Sequence, residues 1–123
     1  MGYTQTSGKQ AEDLACHYLN QQGLSLLERN YTTRFGEIDL VMRDRDTTVF
    51  VEVRYRKRSD VVDPLSSIDL RKQHKLIRTA RAYLQQQRNL TDAPARFDVI
   101  AITERESQHQ IQWIKNAFEA QGT

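Results

Sequence analysis

Asp39 and Glu52 are acids set among apolar residues that alternate along the chain, Ile38, Leu40 and Met42 in one segment and Val49, Val51 and Val53 in the other. Such alternation is the signature of a strand, and successive side chains leave a strand on opposite faces. If Arg45 and Asp46 form a two-residue hairpin loop, Asp44 faces Thr47, Asp39 faces Glu52 and Glu37 faces Arg54. Glu37, Asp39, Val41, Phe50, Glu52 and Arg54 then share one face, and the six alternating apolar residues share the other. Opposed residues have β-carbons about 5 Å apart, a separation at which like charges destabilise the pair. A divalent cation relieves that cost, since Mg²⁺ binds through one or two carboxylates, waters and phosphate oxygens. It also polarises a phosphodiester and helps deliver hydroxide to phosphorus. Arg54, two residues beyond Glu52, carries a fixed charge suited to the negative charge that grows on phosphate. The competing interpretation is a solvated sheet face with a plain Glu37 to Arg54 ion pair, and spacing does not separate the two.

These acids need a framework to hold them. Ala11, Leu14, Ala15, Tyr18 and Leu19 recur at helical spacing after Ser7 and Gly8, and Gly23 supplies a stop. Glu12 falls at the edge of that apolar stripe, which on wheel geometry alone makes it a flank residue; Asp13 points outward. "LSLLERNY" follows as an extended run, then the two alternating segments, which together predict a β-meander. "SSIDLRKQHKLIRTARAYLQQQR" has the pattern of a long helix, with Ser66 or Ser67 as its N-cap and Leu76, Ile77, Ala80, Tyr83 and Leu84 on one face. "ARFDVIAIT" and "HQIQWIKNAF" predict two further strands around the turn "ERESQ". The long helix serves as a crossover and permits a parallel pairing between the third and fourth strands. The order predicts an α/β fold, a mixed central sheet of four to five strands flanked by helices, in a single domain over residues 1–123.

The bulk properties agree with a soluble domain. The chain has 123 residues, 28% of them charged and 38% hydrophobic, with no apolar run near the roughly 18 residues of a membrane helix. The N-terminal segment lacks a secretory h-region and Cys16 is the one cysteine, so a reducing, cytoplasmic setting is expected. Net charge is only +2 despite 18 Lys and Arg, but the cations cluster. "RYRKR" at Arg54 to Arg58 and "RKQHK" at Arg71 to Lys75, with Arg78, Arg81 and Arg88 beyond, suit a phosphate backbone.

The motifs "GKQAEDLACHYL", "GEIDLVMRD", "TVFVEVRYR", "RKQHKLIRTARAYL", "RFDVIAI" and "QWIKNAF" resemble, in the same order and over nearly the whole chain, the YraN-like family of uncharacterised bacterial proteins. That family looks related to archaeal Holliday-junction resolvases and the restriction-endonuclease-like nucleases. The resemblance implies a restriction-endonuclease-like core with an acid on the first helix, an Asp on the second strand and a Glu-x-Lys on the third. These fall on Glu12, Asp39 and Glu52-Val53-Arg54. It implies that Glu12, Asp39 and Glu52 hold Mg²⁺ or Mn²⁺, that Arg54 joins them as a catalytic residue, and that the substrate is DNA, with branched or damaged DNA a candidate. It implies a homodimer too, because a four-way junction presents two equivalent strands. Arg56, Lys57, Arg58, Lys72 and Lys75 are the expected nucleic-acid contacts.

Arg54 departs from the lysine of that pattern. Arginine does not surrender a proton, so this position cannot be a general base. Lys72 or Lys75 could replace it if they reach the site. A catalytically silent nucleic-acid-binding or protein-interaction module therefore stands beside the nuclease reading. His17, His74 and His109 lack partners at zinc-ligand spacing. Trp113 is expected to pack rather than stack on bases, Tyr55 is ambiguous, and Asp98 is expected to be a partnered strand acid.

Overall fold

The computed structural model describes residues 8–57, 63–87 and 93–119. Its elements follow the expected order: helix α1 (Gly8–Gln21), strands β1 (Ser25–Thr33), β2 (Gly36–Asp44) and β3 (Thr47–Lys57), helix α2 (Leu70–Gln86), and strands β4 (Ala95–Arg105) and β5 (Gln108–Phe118). The strands form one sheet in the order β1-β2-β3-β4-β5, antiparallel except that β3 and β4 run parallel across the α2 crossover. This mixed five-stranded sheet with two flanking helices is the fold class predicted from the sequence.

Gly23 ends α1 as expected. Its φ of 98° lets Gly23 N–H reach Asn20 O at 3.1 Å and Leu24 N–H reach Leu19 O at 3.0 Å, which satisfies two terminal carbonyls. Two alternating sets of sheet residues then bury the two helices on opposite faces. Leu40, Met42, Val49, Val51, Ile100 and Ile102 pack with α1 through Ala11, Ala15 and Leu19. Val41, Phe50, Phe97 and Val99 pack with α2 through Leu76, Ile77, Ala80 and Tyr83. Each fully buried Val, Leu, Ile, Met or Phe among them contributes roughly 1.5–3 kcal/mol.

Covering both faces changes the meaning of the acids on β3. Val49, Phe50 and Val51 are all buried, and Glu52 is only 6% exposed, so the face carrying Glu52 is not a solvated one. Two expectations are corrected. Ile38 packs in the cluster under α2 with Val41 and Phe50, away from the set containing Leu40 and Met42. It lies on the part of β2 beyond its last residue paired to β3. The N-cap of α2 is Asp69, whose carboxylate accepts the Lys72 N–H at 2.9 Å, because Ser66 and Ser67 are taken up in a 3-10 turn, Pro64–Ser67, just before. Ser7, Arg58 and Arg88 lie outside the described residues. No helix among the described residues is long and apolar enough to cross a membrane.

Candidate functional site

The hairpin Arg45–Asp46 forms with the expected register, Asp44 opposite Thr47, and β2 stays paired to β3 as far as Leu40 opposite Val51. Asp39 and Glu52 stand one residue further on each strand. There a side chain replaces the ladder: Asp39 Oδ2 accepts the Val53 N–H at 2.8 Å. β3 continues beside β4, with Glu52 against Val99 and Arg54 against Ala101. Glu52 is thus fixed on the central strand at the point where β2 ceases to pair with it.

Glu52 Oε2 lies 3.1 Å from Arg54 Nη2 and 3.5 Å from Lys72 Nζ. Lys72 comes from the first turn of α2, which the Asp69 cap holds in place. The drawn couple of Glu37 with Arg54 is not formed: Glu37 pairs with Thr32 of β1, and Arg54 turns to Glu52. The reason is the end of the β2 to β3 ladder at Leu40, which leaves Glu37 three residues past the last pair.

Asp39 is the electrostatic centre. Burial, then the charge of Glu52, with smaller contributions from Glu12 and Glu37, pushes its carboxyl up to about 7, against the Val53 hydrogen bond. Among the described residues no cation is paired with it. Glu12 reaches the site through its field while its oxygens accept from Asn30 Nδ2 at 3.0 and 3.1 Å and from Arg29 Nη2 at 3.4 Å. Asp13 is exposed and holds Arg29 Nη1 at 2.6 Å. Arg29 and Asn30, which tether Glu12, were not singled out in the sequence. Asn30 adopts a positive φ of 51°, a conformation Asn is among the few residues to tolerate.

Two carboxylates with hard oxygen donors, one of them without a cation partner, suit Mg²⁺ or Mn²⁺, which take one or two protein carboxylates and complete their shells with water and phosphate. Asp39 and Glu52 fit that requirement. Among the described residues no three His, Cys, Asp or Glu side chains are grouped so as to hold a metal ion, so Glu12 is not brought into one ligand set with Asp39 and Glu52.

The remaining cations extend from this point. Arg54 and Arg56 lie on the same face of β3, and the Nε atoms of both are buried without a hydrogen-bond partner. Lys57 is exposed at the end of the strand. Lys75 does not reach the acids; it lies beside Gly36, where an added β-carbon would be 3.7 Å from Lys75 Cβ.

Asp98 is a structural acid, as expected. It is 1% exposed and accepts Arg96 Nε at 3.0 Å, Trp113 Nε1 at 2.9 Å and the Asn116 N–H at 2.9 Å. Trp113 also packs edge-on to Tyr18 with centroids 6.2 Å apart, and Tyr55 donates its hydroxyl to Glu104. Trp113 therefore packs as expected, and Tyr55, the ambiguous one, packs against the same core cluster.

The sequence matches the family described as "Uncharacterised protein family UPF0102" over residues 11–102. It is 50% identical over 120 residues to a UPF0102 protein of Stutzerimonas stutzeri, covering 98% of this chain and 100% of the relative. A UPF0102 protein of Nitrosococcus oceani is 49% identical over 111 residues, 90% of each chain. One from Coxiella burnetii is 47% identical over 118 residues, 96% of each. Agreement of this extent along nearly the whole chain bears out the YraN-like resemblance of its motifs: the chain belongs to the UPF0102 family.

Proposed function

We infer that this protein is a nuclease that hydrolyses phosphodiester bonds of cytoplasmic DNA, branched or damaged DNA among its candidate substrates, with Mg²⁺ or Mn²⁺ as cofactor. The observation that carries the reading is Asp39, a half-buried carboxylate lacking a cation partner among the described residues and raised to about 7 beside the buried Glu52. Asp39 and Glu52 would hold the ion, and Glu12 would add negative charge and orient water. When bound, the ion supplies Lewis-acid polarisation of the phosphate and an activated water.

The chain's own cations have separable tasks. Arg54, permanently charged, stabilises charge on the phosphate. Lys72, 3.5 Å from Glu52, brings a second positive charge to the same acid and would help hold phosphate and orient the attacking water. Arg56, Lys57, Arg58 and Lys75 hold backbone, and a homodimer would present two such sites to a branched substrate.

The test is cleavage of linear, flapped, junction and single-stranded DNA with Mg²⁺ or Mn²⁺. Cleavage is expected on at least one, and Asp39→Ala or Glu52→Ala should lower it by on the order of a hundredfold or more. A clean preparation that cuts none of them overturns the reading.

A second reading rests on one observation, the clamp of two cations on Glu52. Such a clamp suits a non-catalytic DNA-binding module, in which binding survives Asp39→Ala and Glu52→Ala and weakens with salt.

A further inference from the structure

The turn between β1 and β2 and the first turns of α2 enclose a second concave site of about 370 Å³, lined by Arg34, Phe35, Arg71, His74, Lys75 and Arg78. It contains no acid and shares no residue with Glu12, Asp39 or Glu52. The Arg34 and Arg78 guanidinium carbons sit 5.0 and 5.8 Å from the centroid of the Phe35 ring, which gathers two like charges at one place. Among the described residues none of Arg34, Arg71, Lys75 and Arg78 is paired with an acid. Arg71 adds to the imbalance, because it lies in the first turn of α2, which holds no acid inside it, the capping carboxylate of Asp69 being engaged by the Lys72 N–H. Four cations held together without compensation make a receptor for an anion.

Its placement identifies the anion. An added β-carbon at Gly36 would lie 3.5 Å from Thr79 Oγ1, so the turn is seated on α2, and Glu37 and Asp39 follow directly in β2. Lys72, the next residue after Arg71, reaches Glu52. The pocket and the acids therefore draw on the same two elements, the start of β2 and the first turns of α2. Guanidinium forks match phosphate oxygens two at a time. The volume is at the small end of ligand pockets, suited to a single backbone unit.

We propose that this pocket grips the phosphodiester backbone of a nucleic-acid strand beside the acidic site. Arg34, Arg71, Lys75 and Arg78 contact phosphate, and Phe35 holds two of the guanidiniums in position. The assignment rests on nucleic acid as the partner inferred above. It adds Arg34 and Phe35 to the surface and gathers Arg71 and Arg78, already part of the basic run, into one pocket with them.

The experiment is fluorescence anisotropy of a labelled DNA duplex in EDTA over a salt series, with melting temperatures to check folding. Arg71→Ala with Arg78→Ala should weaken binding about tenfold or more and reduce the slope of log K against log salt by about two, the loss expected for two phosphate contacts. Phe35→Leu should weaken binding with the slope nearly unchanged, because a neutral residue releases no counterion. Wild-type affinity and slope in the double variant, alongside weakened binding by Arg56→Ala, overturn the pocket. Equal loss of binding to polyglutamate overturns the nucleic-acid assignment. Absence of cleavage with intact, pocket-dependent binding overturns only the nuclease reading, whereas a wild-type chain that binds no DNA overturns both.

Discussion

Asp39 stores a cost that pH should reveal. Its carboxyl is raised from the usual carboxylate value to about 7 in the fold, so the protonated form is comfortable there and the charged form is penalised. The sign follows from linkage: the contribution to stability is complete below the unfolded pKa and is lost as pH rises through the folded value. The metal-free protein should therefore lose stability between about pH 4 and about pH 7, by at most about 4 kcal/mol at roughly 1.4 kcal/mol per pKa unit. Asp39→Asn should remove most of that decline. Urea denaturation in EDTA at about pH 5 and about pH 8 measures it, and equal declines in both proteins would show that Asp39 does not carry the cost. Lys72 gives a second residue-scale prediction. If Lys72 of α2 supplies charge and orientation to the phosphate and water, Lys72→Ala should reduce cleavage by about a hundredfold or more while Arg54→Lys, which keeps the charge, should be far milder. Comparable losses in the two variants would return the role to β3.

At the scale of elements, the β4 to β5 pairing depends on Asp98, where the register shifts between Phe97 and Val99. Its carboxylate satisfies Arg96, the Trp113 indole and the Asn116 amide together. Asp98→Ala leaves these donors without their buried acceptor and should cost about 3–5 kcal/mol in chemical denaturation; a loss below about 1 kcal/mol would mean water replaces the acid readily. The sequence revealed such a partnered acid through its apolar flanks, and Arg96 stands two residues before it on the same strand, but Trp113 and Asn116 come from the irregularly paired β5 and cannot be read from spacing. The same boundary applies elsewhere. Periods of 3.6 and 2 marked α1, α2, β2 and β3, and the hairpin at Arg45–Asp46 emerged with its register. That register brought Asp39 and Glu52 together. The Glu37 to Arg54 couple failed because a register says which residues would be opposite, not where the ladder stops. The α2 cap was misplaced because two helix-start signals occur in series, Asp63 capping the 3-10 turn and Asp69 capping α2. Arg34 and Phe35 gave no signal, since their significance arises only when the turn lands on α2.

For the whole molecule, a net charge of +2 hides a separation of charge. Acids collect where β2 leaves β3, and cations line α2 and the far end of β3. A divalent ion that binds only the folded chain should then raise its stability through mass action, by about 2.7 kcal/mol at a hundredfold excess over Kd. For a chain of this length that corresponds to roughly 10 °C in melting temperature. The proton competes for Asp39, so the effect should be full above about pH 7 and its underlying affinity should fall toward tenfold for each unit below. Thermal melts with Mn²⁺ against EDTA, at about pH 8 and about pH 6, would follow both dependences. Asp39→Asn should abolish the shift, while Arg71→Ala with Arg78→Ala should leave it intact, because those cations lie in the separate basic pocket. A shift of equal size in Asp39→Asn would place the ion elsewhere and detach metal from the paired acids.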